Sequence, residues 1–255
     1  MGEGTNLIYG GATPTMKAVV LVGGVGTRLR PLTYVIPKCM LPVGAKPLLE
    51  RTITWLKEYG IEEVVLCVAY LKNRIKEYFG DGDQLGVKIS YAETDMPMGT
   101  GGQLKSAQEF LDDQSFVTMN GDILTSLNLD KMMELHHRRN GIGTLALKKF
   151  EIKVPYGKIS LGDRDRIMRF EEKPTLSFNA NAGVYVLSPK IFEYIPADGP
   201  VSLETETFPT ALDRGEQLNA YYQDAYWADV GNLVDYEKVD KEILTKYFAK
   251  TERAS

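Results

Sequence analysis

The chain has 255 residues, 44% of them apolar and 25% charged, and a net charge of −4. That length suits one sizeable core or two modest ones, and the slight acidic balance excludes a polycationic surface, so one extended α/β domain is expected and nucleic acid is not an expected partner. Two cysteines, Cys39 and Cys67, show neither metal-ligand spacing nor a pairing pattern, which fits a reducing cytoplasm, and no apolar run approaches the roughly 18 residues that span a bilayer, so no membrane partner is expected.

Residues 1–15 are rich in Gly and Thr, lack the apolar core of a signal peptide, and read as a loose arm or leader. The β-branched run at 18–22 then predicts a buried parallel strand. It opens into LVGGVGTRLRPLTYVIPK at 21–38, where Gly23, Gly24 and Gly26 permit backbone angles and a close ligand approach that a Cβ would obstruct. A phosphate there would meet backbone N–H groups and Arg28, which can form two directed hydrogen bonds. The Rossmann fingerprint lacks its third glycine, since Leu29 follows Arg28, and no Gly-Lys-Ser/Thr run completes a Walker loop. A GGxG by itself fits a plain tight turn equally well; Arg28 and the later Pro37-Lys38 favour a phosphate cradle.

Leu49, Ile53 and Leu56 mark a helix face closed by Gly60, and 64–68 reads as a buried strand. Leu71, Ile75 and Tyr78 mark a second helix ending near Gly80, followed by a strand at 87–91. This β-α-β-α-β alternation calls for right-handed crossovers and a mainly parallel sheet. Leu104, Ala107 and Leu111 mark a third helix, and 116–119 a strand leading into Asn120-Gly121-Asp122. The helix predicted at 129–139 carries His136 and His137, read as surface or helix-end residues because no third ligand shares their helical spacing.

Beyond Gly143 strands are predicted at 144–149, 156–161, 167–172 and 182–187, with a hairpin turn at 162–165. A short helix at 204–214, interrupted near Pro209, a strand at 218–222 and an amphipathic helix at 233–247 complete the chain. Tyr236, Tyr247 and Phe248 on that last helix suit packing within the chain or against a second copy, which leaves a homo-oligomer open. The expected organisation is a single domain at 16–255, with a nucleotide half at about 16–142, a more β-rich half at about 143–232 and a C-terminal helix at 233–255.

Ligands of an open α/β sheet sit outside the carboxyl ends of its strands. Three groups converge there: the turn from Gly23 to Arg28, Met98-Gly99-Thr100-Gly101-Gly102, and Asp122. An Asp at a strand end is more often a cap or turn residue, but beside a triphosphate it is what Mg²⁺ needs. Asp229, in YWADVG, is the natural second carboxylate, its other reading being a turn residue. Mg²⁺ held by two carboxylates and by substrate phosphates needs no dedicated protein cage. In the second half Lys173 can pair with another phosphate and Glu172 can accept hydrogen bonds from sugar hydroxyls. Tyr156-Gly157 and Asn181-Ala182-Gly183 add a close backbone approach and an amide, and singly each of these features is more often structural.

Taken in order, GGVGTRLRPLT with Pro37-Lys38, Asn120-Gly121-Asp122, Glu172-Lys173-Pro174, Asn181-Ala182-Gly183 and Trp227-Ala228-Asp229 resemble the nucleoside-diphosphate-sugar pyrophosphorylases, or sugar-1-phosphate nucleotidyltransferases. The match runs from Lys17 to about Tyr236. GTGG, EKP, NAGVYVLSP, SLETETFP and YWADVG look most like the mannose-1-phosphate guanylyltransferases, although NGD and residues 98–102 also resemble heptose-1-phosphate guanylyltransferases and muramate-sugar uridylyltransferases.

The resemblance implies a Rossmann-like mixed, mainly parallel sheet flanked by helices, with a β-rich sugar-binding second half. It implies Mg²⁺-dependent in-line transfer from an NTP to a sugar 1-phosphate, without a covalent enzyme intermediate. By position, Arg28 would stabilise charge on the leaving phosphates, Lys38 would bind phosphate at the reacting centre, Asp122 and Asp229 would hold Mg²⁺, and Lys173 the sugar phosphate. The nucleotide would lie on Leu21, Gly23, Gly24, Gly26 and Thr27, with its base bounded by Glu93, Gly99 and Thr100. The sugar would meet Tyr156, Gly157, Glu172, Asn181 and Trp227. GTP with mannose 1-phosphate is the favoured pair, and UTP or dTTP with a glucose, heptose or amino-sugar 1-phosphate is the alternative. A non-catalytic nucleotide-sugar sensor is the alternative of another class, disfavoured by the presence of Arg28, Lys38, Asp122 and Asp229 together.

Overall fold

The computed structural model describes residues 16–251; the N-terminal arm expected at 1–15 and the side chains of Tyr247 and Phe248 lie outside the described residues. The chain opens with strand β1 (Ala18–Leu21), whose four residues are buried on both faces. Two-residue strands β2 (Pro42–Val43) and β3 (Lys46–Pro47) precede helix α1 (Leu48–Glu58). Then come β4 (Glu63–Val68), α2 (Lys72–Phe79), β5 (Lys88–Glu93), α3 (Gly99–Ser106), β6 (Phe116–Asn120), β7 (Ile123–Thr125) and α4 (Leu129–Arg139). The more β-rich half holds β8 (Gly143–Lys153), β9 (Lys158–Leu161), β10 (Ile167–Glu171), β11 (Thr175–Leu187), α5 (Phe208–Asp213), β12 (Leu218–Tyr222) and β13 (Trp227–Asp229). Helix α6 (Leu233–Thr251) follows.

Seven strands form the central sheet in the order β12-β8-β11-β6-β1-β4-β5. Every neighbouring pair is parallel except the two made by β11, which runs antiparallel to both β6 and β8. The predicted mixed, mainly parallel sheet with flanking helices is therefore present. Side-chain alternation along β1 sends Ala18 and Val20 to one face and Val19 and Leu21 to the other, so both faces are covered. Leu49, Ile53 and Leu56 of α1, Ile75 of α2 and Met132 of α4 pack on the first face; Leu104 of α3 and Phe208 and Ala211 of α5 pack on the second. Each large apolar side chain so buried contributes about 1.5–3 kcal/mol.

The reversed strand β11 enters the sheet at the carboxyl ends of its two neighbours, β6 and β8. Its pairing with β8 slips between Asn181 and Tyr185, so that four steps on β11 match two on β8, a bulge in which Gly183 takes φ 68°. Val184 pairs with Met119, and the bulge consequently lies beside the carboxyl end of β6. Strand order reverses between β1 and β6, and Leu21 pairs with Asn120 there, which makes this the crevice where an open sheet binds ligands.

Several elements differ from the sequence-based expectation. Leu71 stands before α2 in the left-handed region and Tyr78 is half exposed, so the buried face of α2 is Ile75 and Phe79. The glycines at 99–102 are the first turn of α3, which ends at Ser106, with Leu111 beyond a separate turn over Gln108–Phe110. The strand expected at 182–187 is the core end of a strand that begins at Thr175 and pairs with β8 as far as Lys153. Its outer part is exposed and therefore lacks the apolar run that marks a buried strand. His136 is a buried residue: its ring nitrogens meet Ser115 Oγ at 3.0 Å and Thr144 Oγ1 at 3.1 Å. Tyr236 packs within the chain, donating to the Pro42 carbonyl at 2.7 Å. Among the described residues no helix is long and apolar enough to cross a membrane.

Candidate active site

The turn after β1 lines a cavity of about 200 Å³. Its walls bring together Leu21, Gly24, Gly26, Thr27, Arg28, Lys38 and Asp122 from the expected set and add Cys39, Gly121 and Gly231. A Cβ at Gly24 would meet nothing within 4 Å, so this backbone faces open space that a ligand can fill. Gly26 takes φ 66°, and its carbonyl accepts from Thr33 Oγ1 at 2.8 Å, which locks the turn that presents Thr27 and Arg28. Arg28 is exposed and has no ion-pair partner among the described residues, leaving its donor fork available to an anion. Burial pushes the Cys39 thiol up to about 12, so Cys39 is an inert part of the wall and not a nucleophile.

Lys38 forms an ion pair with Asp122 Oδ2. Asp122 precedes β7, and β7 pairs with β13 so that Ile123 faces Asp229 and the Val230 N–H donates to the Asp122 carbonyl at 2.9 Å. Two carboxylates far apart in sequence are thereby made neighbours. Oδ1 of each is buried without a hydrogen-bond partner. Burial, and then the charge of Asp122, hold the Asp229 carboxyl above the ordinary aspartate range, while Lys38 and Arg28 pull it down. Orphaned, mutually repelling oxygens are a costly arrangement for the protein alone and a suitable one for a hard divalent cation, so the donor set fits Mg²⁺. Among the described residues no third acidic, His or Cys ligand joins them, which leaves the remaining coordination to substrate oxygens and water. Asp229 itself lines a second cavity, of about 410 Å³, with Phe150, Trp227 and Lys238.

At the next strand edge the structure gives Gly99 and Thr100 a different setting from a bare glycine loop. A Cβ on Gly99 would stand 2.3 Å from the Val201 carbonyl oxygen, and the Gly101 and Gly102 N–H groups donate to that oxygen at 2.8 and 3.2 Å. The glycines thus allow the segment at 199–201 to pack against the start of α3. Gly23 donates its N–H to Gln103 Oε1 at 2.8 Å, and Gln103 Nε2 donates to the Gly99 carbonyl at 3.1 Å, so one buried amide ties the glycine turn to α3. Gln103 was not anticipated; its place four residues after Gly99 on one helix face was the available signal. Glu93, at the end of β5, is held by Lys76 at 2.5 Å and Lys72 at 3.4 Å.

The expected sugar-side residues form two groups. Asn181 and Trp227 lie beside the bulge of β11: Trp227 Nε1 donates to the Ala182 carbonyl at 2.8 Å, and Asn181 is exposed. Tyr156, Gly157, Glu172 and Lys173 are exposed at the base of the β9–β10 hairpin, where a Cβ on Gly157 would stand 2.9 Å from Glu172 Oε2. No hydrogen bond or ion pair joins this second group to Lys38 or Asp122 among the described residues.

An open glycine turn, a Lys–Asp pair and two converging acids stand at the switch point of a mixed α/β sheet, and the sheet with its helices has the nucleotide-diphospho-sugar transferase fold. The profile of the nucleotidyl transferase family matches residues 17–246, and the chain belongs to that family. It is 34% identical over 248 residues to a UTP–glucose-1-phosphate uridylyltransferase of Synechocystis, covering 91% of this chain and 64% of the relative. It is 37% identical to the catalytic subunit beta of a mannose-1-phosphate guanylyltransferase of Danio rerio, covering 87% and 62%. The chain therefore spans somewhat less than two thirds of the length of these curated relatives. Among solved structures, HddC from Yersinia pseudotuberculosis complexed with GMP-PN is 26% identical with a TM-score of 0.71, covering 89% of this chain and 99% of that one. A putative glucose-1-phosphate thymidylyltransferase from Bacillus anthracis, in complex with a sucrose, is 26% identical with a TM-score of 0.72, covering 90% and 95%.

Proposed function

We propose that this chain catalyses Mg²⁺-dependent nucleotidyl transfer from an NTP to a sugar 1-phosphate, releasing pyrophosphate and forming an NDP-sugar, with GTP and mannose 1-phosphate as the preferred pair. The observation that carries the reading is the Lys38–Asp122–Asp229 cluster at the mouth of the glycine turn, with one orphaned oxygen on each acid. A phosphate oxygen of the acceptor forms a bond to the α-phosphorus of the NTP as the bond to pyrophosphate breaks, so the protein's task is to align the two and neutralise charge. Bound Mg²⁺ would be held by Asp122 and Asp229 and would supply a charge clamp on the phosphates. The backbone around Gly24 and the free fork of Arg28 bind the β- and γ-phosphates and stabilise the leaving group. Lys38, kept in place by Asp122, points its charge at the reacting phosphate, and exposed Lys173 takes the acceptor phosphate.

The choice of GTP and mannose 1-phosphate is supported by the names of several relatives, against which stand the uridylyltransferase and thymidylyltransferase names of others. UTP or dTTP with a glucose, heptose or amino-sugar 1-phosphate is the competing pair. Two buried free cysteines suit a cytoplasmic setting. The deciding experiment incubates the chain with GTP, UTP, dTTP or ATP and with mannose, glucose, heptose or amino-sugar 1-phosphates, and reads pyrophosphate. The highest kcat/KM is expected with GTP and mannose 1-phosphate; preference for UTP or dTTP replaces that pair, and no release with any combination rejects the activity.

A further inference from the structure

Glu204 lies in the turn Leu203–Thr207, far in sequence from both groups of expected substrate-binding residues, yet it touches one member of the first group and connects to one of the second. Its Oε2 accepts from Thr100 Oγ1 at 2.6 Å and from Ser202 Oγ at 2.9 Å, and its Oε1 accepts from the Tyr185 hydroxyl at 2.9 Å. Tyr185 in turn accepts from Asn181 Nδ2 at 2.7 Å, and Asn181 Oδ1 accepts from the Gly183 N–H at 3.1 Å. On the other side, Thr100 Oγ1 accepts from the Leu203 N–H at 2.8 Å.

A carboxylate has no proton to donate, so it fixes the direction of every bond it makes. The Tyr185 proton must go to Glu204, which obliges the tyrosine oxygen to act as acceptor toward Asn181 and obliges the asparagine to turn its NH₂ inward and its oxygen to Gly183. One N–H of exposed Asn181 remains available as a donor. The same carboxylate takes the proton of Thr100 and thereby anchors the first turn of α3, the wall expected to bound the nucleotide. Tyr185 is fully buried, and its ionisation is suppressed first by burial and then by the charge of Glu204, so the chain keeps one polarity across the neutral range. The two branches end at Thr100 and Asn181, residues expected on the nucleotide side and the sugar side respectively.

We propose that Glu204 is a positioning residue shared by both substrates: through Tyr185 it orients the Asn181 amide as a donor to a hydroxyl of the sugar 1-phosphate, and through Thr100 it sets the nucleotide wall at the start of α3. The assignment rests on the nucleotidyl-transfer reading above. It predicts that the two branches can be cut separately. With GTP and mannose 1-phosphate, and in parallel with UTP and glucose 1-phosphate, Tyr185→Phe is expected to raise KM for the sugar 1-phosphate about tenfold, the loss of one directed hydrogen bond, with KM for the NTP within about threefold. Thr100→Val is expected to do the reverse, and Glu204→Gln, which must turn one bond around, to raise both. Glu193→Gln, at an exposed carboxylate outside these bonds, is the control and leaves both constants unchanged.

Variants that lower the melting temperature without this separation of KM values, or that move both constants equally in Tyr185→Phe and Thr100→Val, overturn the assignment, as does any other pattern. If the unmodified chain releases pyrophosphate, the reaction stands whatever the variants do. If it neither turns over nor shows a thermal shift with mannose, glucose, heptose or amino-sugar 1-phosphates, the reaction and the role of Glu204 both fail.

Discussion

Asp229 is the residue at which stability and the proposed activity oppose each other. Its carboxyl is raised by burial and by Asp122, so folding disfavours its charged form. Between the unfolded and folded pKa values the native state binds more protons, and stability therefore falls as pH rises through that window and stays lower at neutral pH. Asp229→Asn removes the charge at nearly constant volume. It is expected to raise the metal-free melting temperature at neutral pH while abolishing both the upward shift caused by Mg²⁺ and most of the turnover, by two orders of magnitude or more. Thermal scans with and without Mg²⁺ check this; a variant that melts lower, or still responds to Mg²⁺ like the parent, rejects the metal assignment. At the same scale Gly24 and Gly99 show that similar residues in similar turns serve different ends: the first faces an empty cradle, the second the Val201 carbonyl at 2.3 Å.

Among the elements, α4 is fastened by His136, which reaches Ser115 ahead of β6 and Thr144 on β8. Burial lowers its pKa to about 4, so from near pH 6.5 down to about 4 the unfolded chain takes up a proton that the native chain does not. Stability is accordingly expected to fall with falling pH across that window, by roughly 3 kcal/mol in total, and His136→Gln should flatten the slope. Urea unfolding at several pH values measures it, and an unchanged slope in the variant refutes the role. The bulge of β11 is a second sensitive element. Gly183 sits at φ 68°, where a Cβ would stand 2.9 Å from Asn120 Nδ2. Gly183→Ala is expected to cost about 1–2 kcal/mol from the left-handed backbone, with more from the displaced Asn120, and to reduce turnover by shifting the end of β6. Wild-type unfolding and kinetics in this variant would show that the bulge tolerates a side chain.

Over the whole molecule the proposed site is divided between the edge of the buried sheet and an exposed hairpin. Lys173 belongs to the hairpin and has no salt-bridge partner among the described residues, so Lys173→Met is expected to change stability by less than about 0.5 kcal/mol. It should nevertheless raise KM for the sugar 1-phosphate at least tenfold with little change for the NTP, and equal effects on both substrates would remove Lys173 from the acceptor side. Much of this architecture was legible beforehand. Buried strands such as β1 and β4 announce themselves by unbroken apolar runs, α4 by its helical spacing, and the cradle by three glycines followed by Arg28. These are local signals, carried by residues close together in the chain.

By itself, then, the sequence determined the order of the main helices and central-sheet strands, the mixed and mainly parallel sheet, the family, and the identity of Arg28, Lys38, Asp122 and Asp229 as residues to watch. Only the tertiary structure decided which of them meet. The antiparallel entry of β11, the pairing of β7 with β13, and the Thr100–Glu204 hydrogen bond all join segments separated by tens of residues or more. A hydrogen bond across such a separation leaves no period or spacing in the sequence. Its partners are selected by backbone register and by the requirement that buried polar groups find one another, and both are set only when the sheet has formed.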